Sequence, residues 1–334
     1  MELYSKKMIN GTEHIEEEMI SGFVKAYNSC VEKVPSINAV VTKKKSKRVK
    51  IVVSGGIGCE PLYLGYVGEN MADGVCLGHI FASPSAYSIY ETVKYMGCDD
   101  GVVFIYGNYS GDFLNHDMAS ELLRDDGIQS HSIIVKDDIA SENILNKDKR
   151  SGIAGIMWTI KIAAAAANKG YSLEEVCRIA QKAADNLYSL PVVLDAGTSP
   201  KTGEKLFEVK KDKIEIGMGF NGEPGISSID ISSAKNVMDI VFDHINDEIV
   251  LDKNDEVCIL LNNAGNMTFL EMYILYNRLF DRIQSTKAKI HDTDIGRYIC
   301  PQDMLGFSVT ILKLDDELKQ YYNMSAITPG YKKI

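Results

Sequence analysis

Val49-Lys50-Ile51-Val52-Val53-Ser54-Gly55-Gly56-Ile57-Gly58-Cys59-Glu60-Pro61 runs from a short apolar segment straight into a glycine-rich turn. A buried strand that ends this way leaves backbone N–H groups at the edge of a sheet, where α/β proteins commonly take their ligand. Further apolar runs at Val102 to Tyr106 and Ser132 to Val135, with helical stretches between them, repeat the strand-then-helix order. That alternation predicts an α/β protein built on largely parallel or mixed sheets.

Upstream, Ile15, Met19, Phe23 and Tyr27 fall on one face of a helix expected over 12–28, with Glu16 to Glu18 near its positive end. Lys43, Lys44, Lys45, Lys47, Arg48 and Lys50 then form a basic stretch, which reads as a solvated loop and receives no function. Downstream, an alanine-rich helix from Ile156 to Asn168 is closed by Gly170, and Ser172-Leu173-Glu174-Glu175 reads as a capping box opening the next helix. Pro191 and the segment Ala196 to Gly203 follow that helix, so two α/β domains are expected, 1–187 and 188–334. The second begins with segments at Phe207 to Val209 and Ile214 to Gly219. It continues with a buried strand at Val257 to Leu261, a capping box at Thr268 to Glu271, a helix burying Met272, Leu275, Tyr276 and Leu279, and a closing strand at Phe307 to Leu312.

A chain of 334 residues fits about two domains, and 45% hydrophobic with 25% charged residues excludes disorder and low complexity. No apolar run approaches the roughly 20 residues of a membrane helix, and Met1 to Lys7 holds no apolar signal core, so a cytoplasmic protein is expected. A net charge of -10 argues against direct contact with nucleic acid or an anionic membrane, and leaves a basic protein as a suitable partner. The seven cysteines are scattered and never at C-x-x-C spacing, which implies neither a disulfide framework nor a zinc site. No metal ligand set is expected.

Gly217-Met218-Gly219-Phe220-Asn221-Gly222 matches G-x-G-x-x-G, yet Glu223-Pro224-Gly225 stands where a helix should open, and a Rossmann cofactor site is not supported. No Walker-type phosphate loop occurs. Asp112, just after the strand Val102 to Tyr106, can act as a base, bind a hydroxyl, or simply cap a helix. His79, His116 and His131 read as structural histidines.

Taken in order, these segments resemble the dihydroxyacetone-binding subunit family of dihydroxyacetone kinases. The matching stretches include Lys7 to Asn10, Ser54 to Pro61, Gly65 to Gly68, Ile80 to Pro84, Asn108 to Asn115, Gly217 to Gly225, Leu261 to Asn263, Tyr276 to Leu279 and Asp303 to Ser308. The resemblance implies two α/β domains in a homodimer. It further implies a short-chain ketone or aldehyde site mainly on the first domain, completed by a residue of the second. That site takes in Gly55, Gly56, Cys59, Ser83, Asp112 and Asn221, with Asp112 as the base toward a substrate hydroxyl. It implies no cofactor on this chain, ATP and magnesium arriving on a separate helical subunit.

Three positions depart from the family pattern. A histidine that captures the substrate carbonyl as a hemiaminal is Asn221 here, a second histidine is Cys59, and a lysine is Gly107. A carboxamide nitrogen has its lone pair delocalised into the carbonyl, so Asn221 is expected to hydrogen-bond a ligand without trapping it. Cys59 reads as an inert thiol filling the space of an imidazole, because no cation adjacent in sequence activates it. On these departures the favoured reading is a non-catalytic paralogue, a small-ligand sensor or coactivator working with a TetR-type transcription regulator. The alternative is a kinase substrate subunit that holds a small polyol or carbonyl compound without a covalent link.

Overall fold

The computed structural model describes residues 6–334, so the reading of residues 1–5 lies outside it. The chain forms two compact units: residues 6–135, 156–185 and 317–334 make one, and residues 136–155 and 186–316 the other. A single cut after residue 187 divides the chain differently at both of the interleaved segments.

In the first unit, strands β1 (Val31–Lys33), β2 (Ala39–Thr42), β3 (Lys50–Ile57), β4 (Gly74–Ile80), β5 (Val102–Gly107) and β6 (Ser130–Val135) lie in the order β1-β2-β4-β3-β5-β6. The four central and distal strands β4, β3, β5 and β6 run parallel, and β1 and β2 add an antiparallel edge. Helices α1 (Ile15–Ala26), α2 (Ala86–Met96), α3 (Ser110–Asp125), α4 (Ile156–Asn168) and α5 (Leu173–Asp185) complete it. On α1 the buried residues are Glu16 and Ile20, one position on from the expected apolar face, because Glu16 turns to His79 (3.4 Å). All of α4 except Asn168 is buried, and its alanines allow close packing against β3, β5 and α5. Lys161 on α4 is satisfied inside this core by the Met324 carbonyl and by the face of Tyr322.

The basic stretch is largely tied down. Arg48 forms a two-pronged pair with Asp73 (2.9 Å each), whose carboxylate also accepts the Ile51 N–H (2.8 Å). Lys44 meets Glu69 at 3.1 Å, and Lys50 donates to the Ser46 carbonyl. Residues 317–334 return to this unit through Glu317, bonded to Arg178 and Lys182, and through reciprocal backbone bonds between Glu69 and Ile327.

The second unit holds β7 (Leu187–Asp195), β8 (Lys213–Ile216), β9 (Ser227–Asp230), β10 (Glu256–Asn263), β11 (Lys289–Gly296) and β12 (Leu305–Leu314) in the order β11-β10-β12-β7-β8-β9. Only β10 and β11 are parallel; every other neighbour is antiparallel. The expected closing strand, β12, is therefore central. Helices α6 (Ala234–Ile249) and α7 (Phe269–Thr286) bury Val237, Phe242, Ile245, Met272, Leu275 and Leu279 against this sheet. The capping box at Thr268 and Glu271 forms as expected, whereas Phe207 to Val209 is irregular and contributes no strand. Residues 136–155 belong here because buried Asp137 accepts the N–H groups of Ile153 (2.7 Å) and Gly155 (2.8 Å) and the Ser189 hydroxyl, and because Arg150 pairs with Glu248. Among the described residues no helix is long and apolar enough to cross a membrane.

Candidate functional site

Three connections meet at the carboxyl edge of the parallel strands in the first unit. β3 stays extended through Ile57, with an irregular register against β4 between Gly55 and Ile57. The absence of side chains there is used by neighbours. A β-carbon on Gly56 would lie 2.6 Å from the Ala82 nitrogen, and one on Gly55 would overlap the Tyr63 ring. The 81–84 turn thus presses on Gly56, while buried Gly55 is covered by Tyr63. Phe81 opens that turn with a left-handed backbone (φ 56°), and its ring packs where a β-carbon on Gly58 would sit. The third connection is the start of α3, where a β-carbon on Gly111 would lie 3.3 Å from the Ser83 β-carbon.

Asp112 stands in the first turn of α3, where the helix dipole favours a carboxylate. Its cap reading is corrected, since Tyr109 holds the N-cap position and the Asp112 carboxylate turns to the Ser83 hydroxyl, which donates to Oδ1 at 2.5 Å. Burial pushes the Asp112 carboxyl up to about 6, although the Ser83 hydrogen bond pulls it down. Gly56, Ser83 and Asp112 are thus brought together. Cys59 follows on the same turn, half-buried, and the next residue, Glu60, accepts the Gly58 N–H at 2.9 Å. Burial raises the Glu60 carboxyl above its usual range.

Beneath Asp112 lies a side chain whose role the sequence did not reveal. His116 is fully buried, stacked on Tyr106 with ring centroids 3.9 Å apart. Its Nδ1 lies 2.7 Å from the Asp112 carbonyl oxygen, which can only accept, so Nδ1 carries the proton. Nε2 then accepts from the Ser54 hydroxyl on β3, also at 2.7 Å. Burial lowers the imidazole to about 4 and keeps it neutral. The Asp-x-x-x-His spacing on one helical face was the available signal. By contrast His79 and His131 are exposed, and among the described residues the His79 ring reaches only Glu16. Tyr63 is buried as well, and the Gly107 N–H points to its hydroxyl at 3.4 Å.

Asn221 lies in the second unit, on the turn that follows β8. Glu223 clasps it twice, accepting the Asn221 backbone N–H on Oε2 (3.0 Å) and the amide Nδ2 on Oε1 (2.8 Å). Gly219 leaves room for that carboxylate, and Gly222 adopts a left-handed backbone (φ 87°) against the Phe207 ring. The G-x-G-x-x-G spacing opens no helix here, and its glycines shape a turn around one side chain.

A glycine-shaped turn with a buried, serine-bonded carboxylate stands at the end of parallel strands, the place where α/β proteins commonly take their ligands. The Dak1 domain model matches residues 21–330, and the chain belongs to that family. It is 38% identical over 330 residues to the dihydroxyacetone-binding subunit DhaK of PTS-dependent dihydroxyacetone kinase 2 from Listeria innocua serovar 6a, covering 98% of this chain and 99% of that one. Among solved structures it matches the dihydroxyacetone kinase of C. freundii with a TM-score of 0.89 at 29% identity, over 98% of this chain and 60% of that one. It also matches the dihydroxyacetone kinase operon co-activator Dha-DhaQ with a TM-score of 0.87 at 25% identity, over 96% and 98% of the two chains. The family resemblance and the α/β fold expected from the sequence are both borne out.

Proposed function

We propose that this protein is the substrate-binding subunit of a kinase for a small, uncharged polyol or short carbonyl compound. In this reading Gly56, Ser83 and Asp112 hold the ligand, Cys59 lines the site without covalent capture, and ATP and magnesium arrive on a helical nucleotide-binding partner. The protein acts as a homodimer.

The observation that carries the reading is Asp112. One oxygen is committed to Ser83, and the residue makes no ion pair among the described residues, so the other oxygen is the group available to a ligand hydroxyl. A carboxyl raised to about 6 is largely ionised at pH 7 and is a stronger base than an ordinary aspartate, the match between proton affinity and working pH that general-base catalysis requires. Phosphoryl transfer needs little more from this chain than position and a proton acceptor. A reconstituted assay with a nucleotide-binding subunit tests the proposal: phosphorylation of a small polyol that Asp112→Asn abolishes supports it, and turnover indifferent to Asp112 overturns it.

The second reading, a ligand sensor or coactivator acting with a TetR-type regulator, is favoured by the side chains at 59 and 221, neither of which offers an imidazole, and by the likeness to the co-activator Dha-DhaQ. Under it, a ligand changes the affinity for the regulator while Asp112→Asn affects binding alone.

A further inference from the structure

The backbone ladder between β3 and β5 ends at the pair Val53 and Ile105, one residue before Ser54, while β5 runs on beside β6 to Gly107. A side chain of α3 spans the opening. The buried Ser54 hydroxyl donates to Nε2 of His116 at 2.7 Å, and Nδ1 of the same ring donates to the Asp112 carbonyl, also at 2.7 Å. The ring stacks on Tyr106 with 17° between the planes and meets Phe104 edge-on, centroids 5.0 Å apart, which fixes its plane. Flipping it over would put carbon where each nitrogen now sits, and both hydrogen bonds would be lost.

These bonds close a circuit within the first unit. From Asp112 the Oδ1 contact leads to Ser83, the 81–84 turn presses on Gly56, and two residues back along β3 Ser54 leads through His116 to the Asp112 backbone. We infer that His116 is a positioning residue: its imidazole is a strut between β3 and the first turn of α3, and it sets where the Asp112 carboxylate stands relative to Gly56 and Ser83. The Ser54 bond ties the helix to the strand, and the Asp112 bond ties the ring to the very turn that carries the carboxylate, four residues from its own backbone. Misplacing a reacting group by about 1 Å can cost on the order of 10²-fold in rate, so such a strut acts on turnover more than on stability. The inference rests on the proposed small-ligand site and names the residue that aligns its base.

The double variant Ser54→Ala, His116→Phe tests it on the full-length protein. It keeps an aromatic ring against Tyr106, leaves neither the hydroxyl nor the imidazole unpaired, and is expected to fold, since the Asp112 carbonyl keeps its place in the helix ladder. In the reconstituted assay it should lose roughly 10-fold or more in kcat with KM little changed. Each single variant should lose as much, because either cut removes the same strut. A ring that only fills space gives the opposite result, wild-type kcat in the double variant. Carboxyl ¹³C titration of Asp112 requires neither substrate nor partner, and its midpoint should move away from the wild-type value of about 6 in the double variant. An unmoved midpoint overturns the inference, as does wild-type kcat where Asp112→Asn is inactive, and the site reading then stands. Turnover indifferent to Asp112 defeats the site reading instead, and the titration alone decides whether His116 is a strut.

Discussion

The turn around Asp112 and the turn around Asn221 are held by the same devices and end in different chemistry. Each uses glycines to bring backbone and carboxylate into contact, and each fixes a polar side chain through one oxygen-bearing neighbour, Ser83 in the first unit and Glu223 in the second. At Asp112 the held group is a carboxyl whose proton affinity burial raises. At Asn221 it is an amide that can neither accept a proton usefully nor attack a carbonyl. Similar architecture thus holds a group that can take a proton in one turn and a group that cannot in the other.

The comparison breaks first if the Asp112 turn proves inert. Asp112→Asn is expected to lower turnover in the reconstituted kinase assay by roughly 10²-fold or more, the usual contribution of a positioned base. The other side is broken by introducing imidazoles at positions 59 and 221. Asn221→His combined with Cys59→His should gain a mass equal to one dihydroxyacetone in non-denaturing mass spectrometry, while wild type shows no adduct.

Stability offers a sharper test of how strongly the first turn is tuned. Asp112 rises from 3.8 to about 6 on folding, so between those values the folded state binds the extra proton and stability falls as pH increases. His116 falls from 6.5 to about 4, so over nearly the same interval the unfolded chain binds the extra proton and stability grows with pH. The two slopes oppose each other. Asp112→Asn should stabilise the protein at pH 7 by up to about 3 kcal/mol and expose the rising slope of His116 between pH 4 and 6.5 in denaturant titrations. Ser83→Ala should raise the Asp112 proton affinity further, because the lost hydrogen bond favoured the ionised form, and carboxyl ¹³C titration would record it. Smallest of all, Tyr63→Phe removes the hydroxyl to which the Gly107 N–H points and should cost about 1 kcal/mol in thermal unfolding.

Much of the first unit was legible because its signals are local. The apolar run into Gly55 and Gly56, the strand before Asn108 and the alanine-rich helix closed by Gly170 each lie within a dozen or so residues, and each formed as read. Asp112 and Ser83 could be named from the sequence, yet their contact spans 29 positions and belongs to the packing of Gly111 on the 81–84 turn. The largely antiparallel second sheet left no comparable mark, since a buried strand such as β12 has the same apolar composition whichever way its neighbours run. The exchange of 136–155 and 317–334 between units was equally silent. It depends on single buried groups, Asp137 for one and Glu317 for the other, whose partners are far away in the chain.

Trp158, the sole tryptophan, sits at zero exposure in α4 with the edge of Tyr322 against it, at 5.8 Å between ring centroids. Both residues belong to the first unit, so the intrinsic indole emission of this protein is an optical label already installed on one half of the molecule. A red shift in that emission would announce loosening around β3 and β5, the strands that carry the Asp112 turn, while the second unit melts in the dark; circular dichroism, which sees both sheets, would supply the missing half of the record.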